Sequence, residues 1–234
     1  MLGPTYAEHV RVATLVGHKA EEVTDIADLT EADLAVIVNP NNPDGRLVGR
    51  DELLAIADAQ KPRGGVLVID EAFMDLAPAG SLVSELGRGN LVVLRSFGKF
   101  FGLAGLRLGF ALAPTHIAAR LRASLGPWPV SGPAIVIGEA ALMDGAWTQA
   151  TRRSLHQRAR ELDALLAHAG LEVIGGTALF RLVRNARADA LFRHLGCAGI
   201  LVRRYAEQPQ WLRFGLPHGE QERQRLRTAL SAFS

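Results

Sequence analysis

Three short apolar runs without polar alternation constrain this chain most. Leu34-Ala35-Val36-Ile37-Val38, Val66-Leu67-Val68-Ile69 and Leu91-Val92-Val93-Leu94 are each four or five residues long and apolar on both faces. A strand wetted on one side alternates apolar and polar residues, whereas one covered on both sides does not. Residues 51–60, after the first run, and a short stretch near 81–86, after the second, carry helical patterns. Doubly buried strands separated by helices predict an α/β fold around a mostly parallel sheet flanked by helices. Residues 106–112 read as a further strand.

From residue 114 to 169 the pattern becomes helical, and Gly126-Pro127-Trp128-Pro129 interrupts it as a hinge would. Residues 171–174 and 178–183 then read as strands around Gly175-Gly176, 188–195 as a helix, 200–202 and 211–214 as strands, and 220–233 as a final helix. The expected organisation is a large domain over 1–125, a hinge and connecting helix over 126–145, and a small α+β domain over 146–234.

Composition excludes several functions. With 234 residues, 48% hydrophobic and 21% charged, the chain is neither disordered nor fibrous. A net charge of +2, scattered along the sequence, does not argue for nucleic acid. The single cysteine, Cys197, excludes a disulfide framework and a Cys-rich zinc site, and the 7 histidines lack metal-ligand spacing. No apolar run reaches the ~18 residues of a membrane span. Met1-Leu2-Gly3-Pro4-Thr5-Tyr6 lacks the charged and apolar regions of a signal peptide, so the cytoplasm is the expected compartment. His9, His18 and Cys197 read as structural, and the run from Arg152 to Arg160 as a solvated helix face.

Ligands of open parallel sheets gather at the carboxyl ends of the strands. Here the first run is followed by Asn39-Pro40-Asn41-Asn42-Pro43-Asp44-Gly45, the second by Asp70-Glu71-Ala72-Phe73, and the third by Arg95-Ser96-Phe97-Gly98-Lys99, with Arg107 beyond. Taken alone, Asp70 fits a helix N-cap, Asn42 with Gly45 a common turn, and Lys99 a solvated loop. Their recurrence at one end of successive strands points instead to a ligand site. A phosphate-binding NTPase loop is excluded, because Phe100 follows the only Gly-Lys pair and Val93 stands where its first glycine belongs.

Together these residues resemble the fold-type I pyridoxal-phosphate (PLP) enzymes. Ser96-Phe97-Gly98-Lys99 with Gly102-Leu103-Ala104-Gly105-Leu106-Arg107-Leu108-Gly109 is similar to that superfamily's lysine motif, and the two loops upstream to its other signatures, in order. The resemblance covers essentially the whole chain and points to the branch holding histidinol-phosphate aminotransferase and the L-threonine-O-3-phosphate decarboxylase of cobalamin biosynthesis. Arg95-Ser96-Phe97-Gly98-Lys99-Phe100-Phe101-Gly102-Leu103 and Asp70-Glu71-Ala72-Phe73-Met74-Asp75 look more like the decarboxylase.

The resemblance implies PLP as cofactor and a role for each residue. Lys99 would capture the cofactor's aldehyde, and Asp70 would keep its ring nitrogen protonated. Asn42 would donate to the ring oxygen, Ser96 and Arg107 would hold the phosphate, and Tyr6 would stack on the ring. Arg213, in Trp211-Leu212-Arg213-Phe214-Gly215, would grip the substrate α-carboxylate, and Arg203 the substrate phosphate. The implied partners are a small phosphorylated amino acid and a second subunit of a homodimer, with no nucleic acid or membrane. An aminotransferase of the histidinol-phosphate type, or an inactive remnant or half of a split enzyme, stays open at this point. Phe73 stands where many aminotransferases carry a tyrosine, and Gly98 replaces the usual hydroxyl residue before the lysine. Family members are longer at the N-terminus, where one helix gives N–H groups to the phosphate. The expectation is therefore that this chain alone retains PLP weakly.

Overall fold

The three apolar runs form parallel strands β1 (Leu34–Val38), β2 (Val66–Asp70) and β3 (Leu91–Ser96). Strand β4 (Gly109–Leu112) joins antiparallel to β3, giving the order β1-β2-β3-β4. This computed structural model describes residues 1–233, and Ser234, the end of the expected small domain, lies outside the described residues. The chain divides into two units, Met1–Gly145 and Ala146–Ser234, and residues 126–145 fall in the first.

Strand alternation gives the first sheet two faces. Ala35, Ile37, Leu67, Ile69, Leu91 and Val93 share one face and are buried with Leu53, Ile56 and Ala57 of helix α2 (Arg50–Gln60). Those α2 residues recur at helical spacing, and Asp51 and Glu52 in its first turn complement the helix dipole. The opposite face carries Val36, Val38, Val68, Val92 and Leu94, and ends in Asp70 and Ser96.

Two buried amides close the far end of this unit. Gln60 Nε2 donates to the carbonyls of Leu29 and Ala32, and Asn90 Nδ2 to those of Ala57 (2.7 Å) and Gly65 (3.2 Å). Loss of a partner leaves a buried carbonyl at a cost of about 1–3 kcal/mol. Asn90→Ala therefore lowers unfolding free energy by about that amount for each orphaned carbonyl that water does not reach. Urea denaturation of the variant measures it.

Helix α1 (Glu8–Leu15) follows Tyr6, and α3 (Thr115–Leu125) and α4 (Gly132–Met143) follow β4. In the second unit, α5 (Gly145–His168), α6 (Ala188–Cys197) and α7 (Glu220–Ser231) accompany an antiparallel sheet ordered β5-β6-β8-β7. Its strands are β5 (Glu172–Thr177), β6 (Phe180–Arg184), β7 (Arg203–Arg204) and β8 (Trp211–Gly215). Leu162 and Leu166 of α5, Leu191 and Leu195 of α6 and Leu226 of α7 are buried with Val183, Leu212 and Phe214 of the strands. Arg184 reaches Glu172 across β5 and β6 with bonds of 2.6 and 3.0 Å, which hold the Glu172 carboxyl below its usual pKa.

The structure corrects several boundaries. The strand expected over 106–112 begins only at Gly109, because Arg107 is left-handed (φ 52°) after a 3₁₀ turn. The helix expected near 81–86 is a 3₁₀ stretch, Val83–Arg88. Gly175 and Gly176 lie inside β5 at a register shift rather than between strands. A Cβ at Gly176 would sit 2.3 Å from the Phe180 carbonyl, so glycine is required there by close approach and by its φ of 144°. The strand expected over 200–202 forms later, at Arg203–Arg204.

Candidate active site

Asn39 N donates to the Asp70 carbonyl and Glu71 N to that of Leu94, so the chain leaves β1, β2 and β3 at one edge. Ser96 pairs with Gly109 at the start of β4, and Phe97 N donates to the Leu108 carbonyl, so Arg107 returns the chain to the same edge. Asn42, Asp70, Ser96, Lys99 and Arg107 thus all belong to segments that leave or enter the sheet there.

Asp70 is the last residue of β2, and its side chain is 14% exposed. One carboxylate oxygen accepts from Ala72 N at 3.0 Å, and the other lies 2.8 Å from His9 Nε2. An ionised carboxylate only accepts, so His9 Nε2 carries the hydrogen. His9, which the sequence offers as a structural residue, is the side-chain partner of Asp70. His9 lies one helical turn beyond Tyr6, whose half-exposed ring stands edge-on to it at 5.7 Å. That spacing was legible in the sequence, but the partner, 61 residues away, was not.

Another residue missed at the sequence level holds this segment to the loop after β1. Buried Asn41 accepts from Thr5 Oγ1 (2.7 Å) and donates through Nδ2 to the Pro4 carbonyl (3.0 Å) and Asp44 Oδ1 (2.8 Å). Tyr6 and Asn42 are each next in the chain to a member of this cluster, so it sets their spacing.

Ser96 Oγ accepts from Gly98 N at 3.1 Å, which shapes the turn into Lys99. Lys99 is exposed, and its Nζ lies 5.6 Å from the centroid of the Phe73 ring. Arg107 is exposed, with one guanidinium nitrogen donating to the Ala104 carbonyl at 3.2 Å. In the second unit, Arg203 of β7 pairs in register with Arg213 of β8, so the two leave one face of that sheet. The Arg213 guanidinium lies 4.8 Å from the Phe180 ring centroid. Among the described residues, no group of three or more His, Cys, Asp and Glu side chains is placed to hold a metal ion.

That edge thus brings an amine, a largely buried acid, a hydroxyl, an amide and a guanidinium onto segments that follow or enter neighbouring strands. The sequence profile described as aminotransferase class I and II matches residues 1–230, and the chain belongs to that family. It is 49% identical over 233 residues to a threonine-phosphate decarboxylase from a Sinorhizobium species, covering 99% of this chain and 69% of that one. It is 43% identical to a threonine-phosphate decarboxylase from Pseudomonas aeruginosa, covering 100% of this chain and 71% of the relative. The fold matches a crystal structure of histidinol-phosphate aminotransferase from Sinorhizobium meliloti in complex with pyridoxal-5'-phosphate. That match has a TM-score of 0.81 at 22% identity and covers 100% of this chain and 70% of the other.

Proposed function

We propose that this chain carries out PLP-dependent decarboxylation of L-threonine O-3-phosphate to an aminopropanol phosphate, a reaction of cobalamin biosynthesis. The observation that carries the reading is the Lys99 amine over the hydroxyl-free Phe73 ring, at the edge where Asp70 ends β2. The names of the two relatives support the substrate.

The donor set at the sheet edge fits this cofactor. Asp70 accepts one bond at each oxygen and keeps lone pairs for a ring N–H. Ser96 Oγ accepts from Gly98 N, which leaves the hydroxyl hydrogen to donate to a phosphate. Arg107, on the neighbouring segment, adds a cation for the same anion. Asn42 would donate to the ring oxygen, and Tyr6 would cover the ring face.

When bound, PLP supplies an aldehyde for a primary amine and a protonated ring that accepts the electron pair left at Cα as CO2 departs. Lys99 Nζ would hold the aldehyde carbon until substrate arrives, and afterwards move a proton at Cα. Asp70 would keep the proton on the ring nitrogen, with His9 orienting the carboxylate. Arg213 would hold the substrate α-carboxylate and Arg203 its phosphate. Phe73 brings no hydroxyl near Lys99, where a tyrosine would offer a further donor. In this reading residues 1–125 bind cofactor, 126–145 connect, and 146–234 form the small substrate domain.

We extend the reading to a cytoplasmic homodimer. Helix α4 is apolar apart from Glu139, and Ile135, Val136, Ile137, Leu142 and Met143 are exposed on it. Exposed apolar side chains in such number on one helix suit an interface. The cytoplasm suits a chain with one free cysteine.

The test is direct. Purified chain given excess PLP and L-threonine O-3-phosphate is expected to release CO2, but at well under about 1 s⁻¹, because it retains the cofactor weakly. Amino-group exchange from histidinol phosphate to a keto acid, without CO2, would replace the decarboxylase reading with the aminotransferase one.

A further inference from the structure

The two residues beside Asp70 and Ser96 in the chain, Glu71 and Arg95, form a charged cluster, buried at Glu71 and partly buried at Arg95, that the proposed chemistry does not use. Alternation sends them to the other face of the sheet, where they follow Leu67, Ile69, Leu91 and Val93 at the end of the core. Glu71 is fully buried. Its carboxylate accepts from Leu82 N (2.7 Å) and Ser81 Oγ (2.7 Å), and from the Arg95 guanidinium (3.1 Å). A second guanidinium nitrogen of Arg95 pairs with Asp75, in the turn after Phe73.

Aliphatic side chains would close this end of the core without desolvating three charges, so ion pairing is a poor way to gain stability alone. A guanidinium does give direction. Its planar fork presents donors at fixed angles, and here two of them meet two carboxylates. One arm fixes the start of the Asp70–Phe73 turn and the other fixes its end, both relative to β3.

We propose that Glu71, Arg95 and Asp75 are positioning residues: a partly buried clamp that holds Asp70 and Phe73 in place against Ser96 and Lys99. The clamp acts from beneath the sheet edge, and none of its members touches the ligand. This inference rests on the cofactor reading for its purpose, but its geometry is testable without cofactor, because His9 Nε2 reports on the Asp70 carboxylate.

Arg95→Lys keeps the charge and removes the fork, and Glu71→Gln keeps the shape and removes the charge. The ring ¹⁵N resonances of His9 are read in both variants without cofactor, and PLP affinity by titration. Asn90→Ala serves as the control, since it weakens the opposite end of the sheet. The expected result is a displaced His9 Nε2 resonance in both clamp variants and a PLP dissociation constant raised about tenfold, corresponding to about 1.4 kcal/mol. Asn90→Ala should leave both unchanged. Folded Arg95→Lys with wild-type His9 resonances and wild-type PLP affinity would overturn the clamp, whatever Glu71→Gln does. Failure of the wild-type chain to bind PLP even in large excess would refute the cofactor reading instead, and the His9 resonances would still decide the clamp.

Discussion

Lys99→Ala protein mixed with PLP shows neither the absorbance of a lysine-bound cofactor nor any cofactor retained covalently after borohydride. The sequence holds three lysines, Lys19, Lys61 and Lys99, and only Lys99 lies in a segment leaving the sheet at its carboxyl edge. Lys19 is paired with Glu21 on the surface, and Lys61 caps α2 at its C-terminal end. Removing Lys99 takes away both the amine that captures the aldehyde and the group that moves a proton at Cα. Turnover should fall about 10³-fold or more, since loss of general acid–base function alone costs ~10²–10⁴. Fold should be unaffected, because the side chain is exposed. Full turnover by Lys99→Ala, or trapping of PLP on Lys19 or Lys61, would exclude the proposed site.

Asp70→Asn separates capture of the cofactor from its use. The amide keeps an oxygen to accept from Ala72 N, so the turn after β2 should persist. It loses the negative charge that would hold a proton on the ring nitrogen. Borohydride trapping on Lys99 is therefore expected to continue, while turnover falls about 10²–10⁴-fold with the loss of a preorganised electrostatic contact. Stopped-flow absorbance and CO2 release on the same sample measure the two halves. Normal turnover by Asp70→Asn would show that another group holds the ring proton, and His9 would lose its place in the mechanism with it.

Much of this site was legible because its signals are local. The three strands are short and apolar on both faces, and that pattern alone implies cover on both sides and parallel pairing. The polar residues that follow each strand come next in the chain, so their arrival at one edge follows once the strands are parallel. The order of the three motifs carried the family for the same reason.

What escaped the sequence lies in pairings between distant segments. His9 meets Asp70 across 61 residues, and Arg95 meets Glu71 across 24. Neither His9 nor Glu71 stands out in its own segment, since a histidine on a short helix and an acid after a strand are common. The register of Arg203 against Arg213, the reversal of β4 and the left-handed Arg107 that precedes it likewise depend on packing between elements. Periodicity states which face of an element is apolar, but not which element will cover it or at what offset. By itself the sequence determined the strands, the parallel layer and the residues offered at its edge. Only the tertiary structure decided which polar partners orient them, because a hydrogen bond of 2.8 Å is a property of two surfaces brought together.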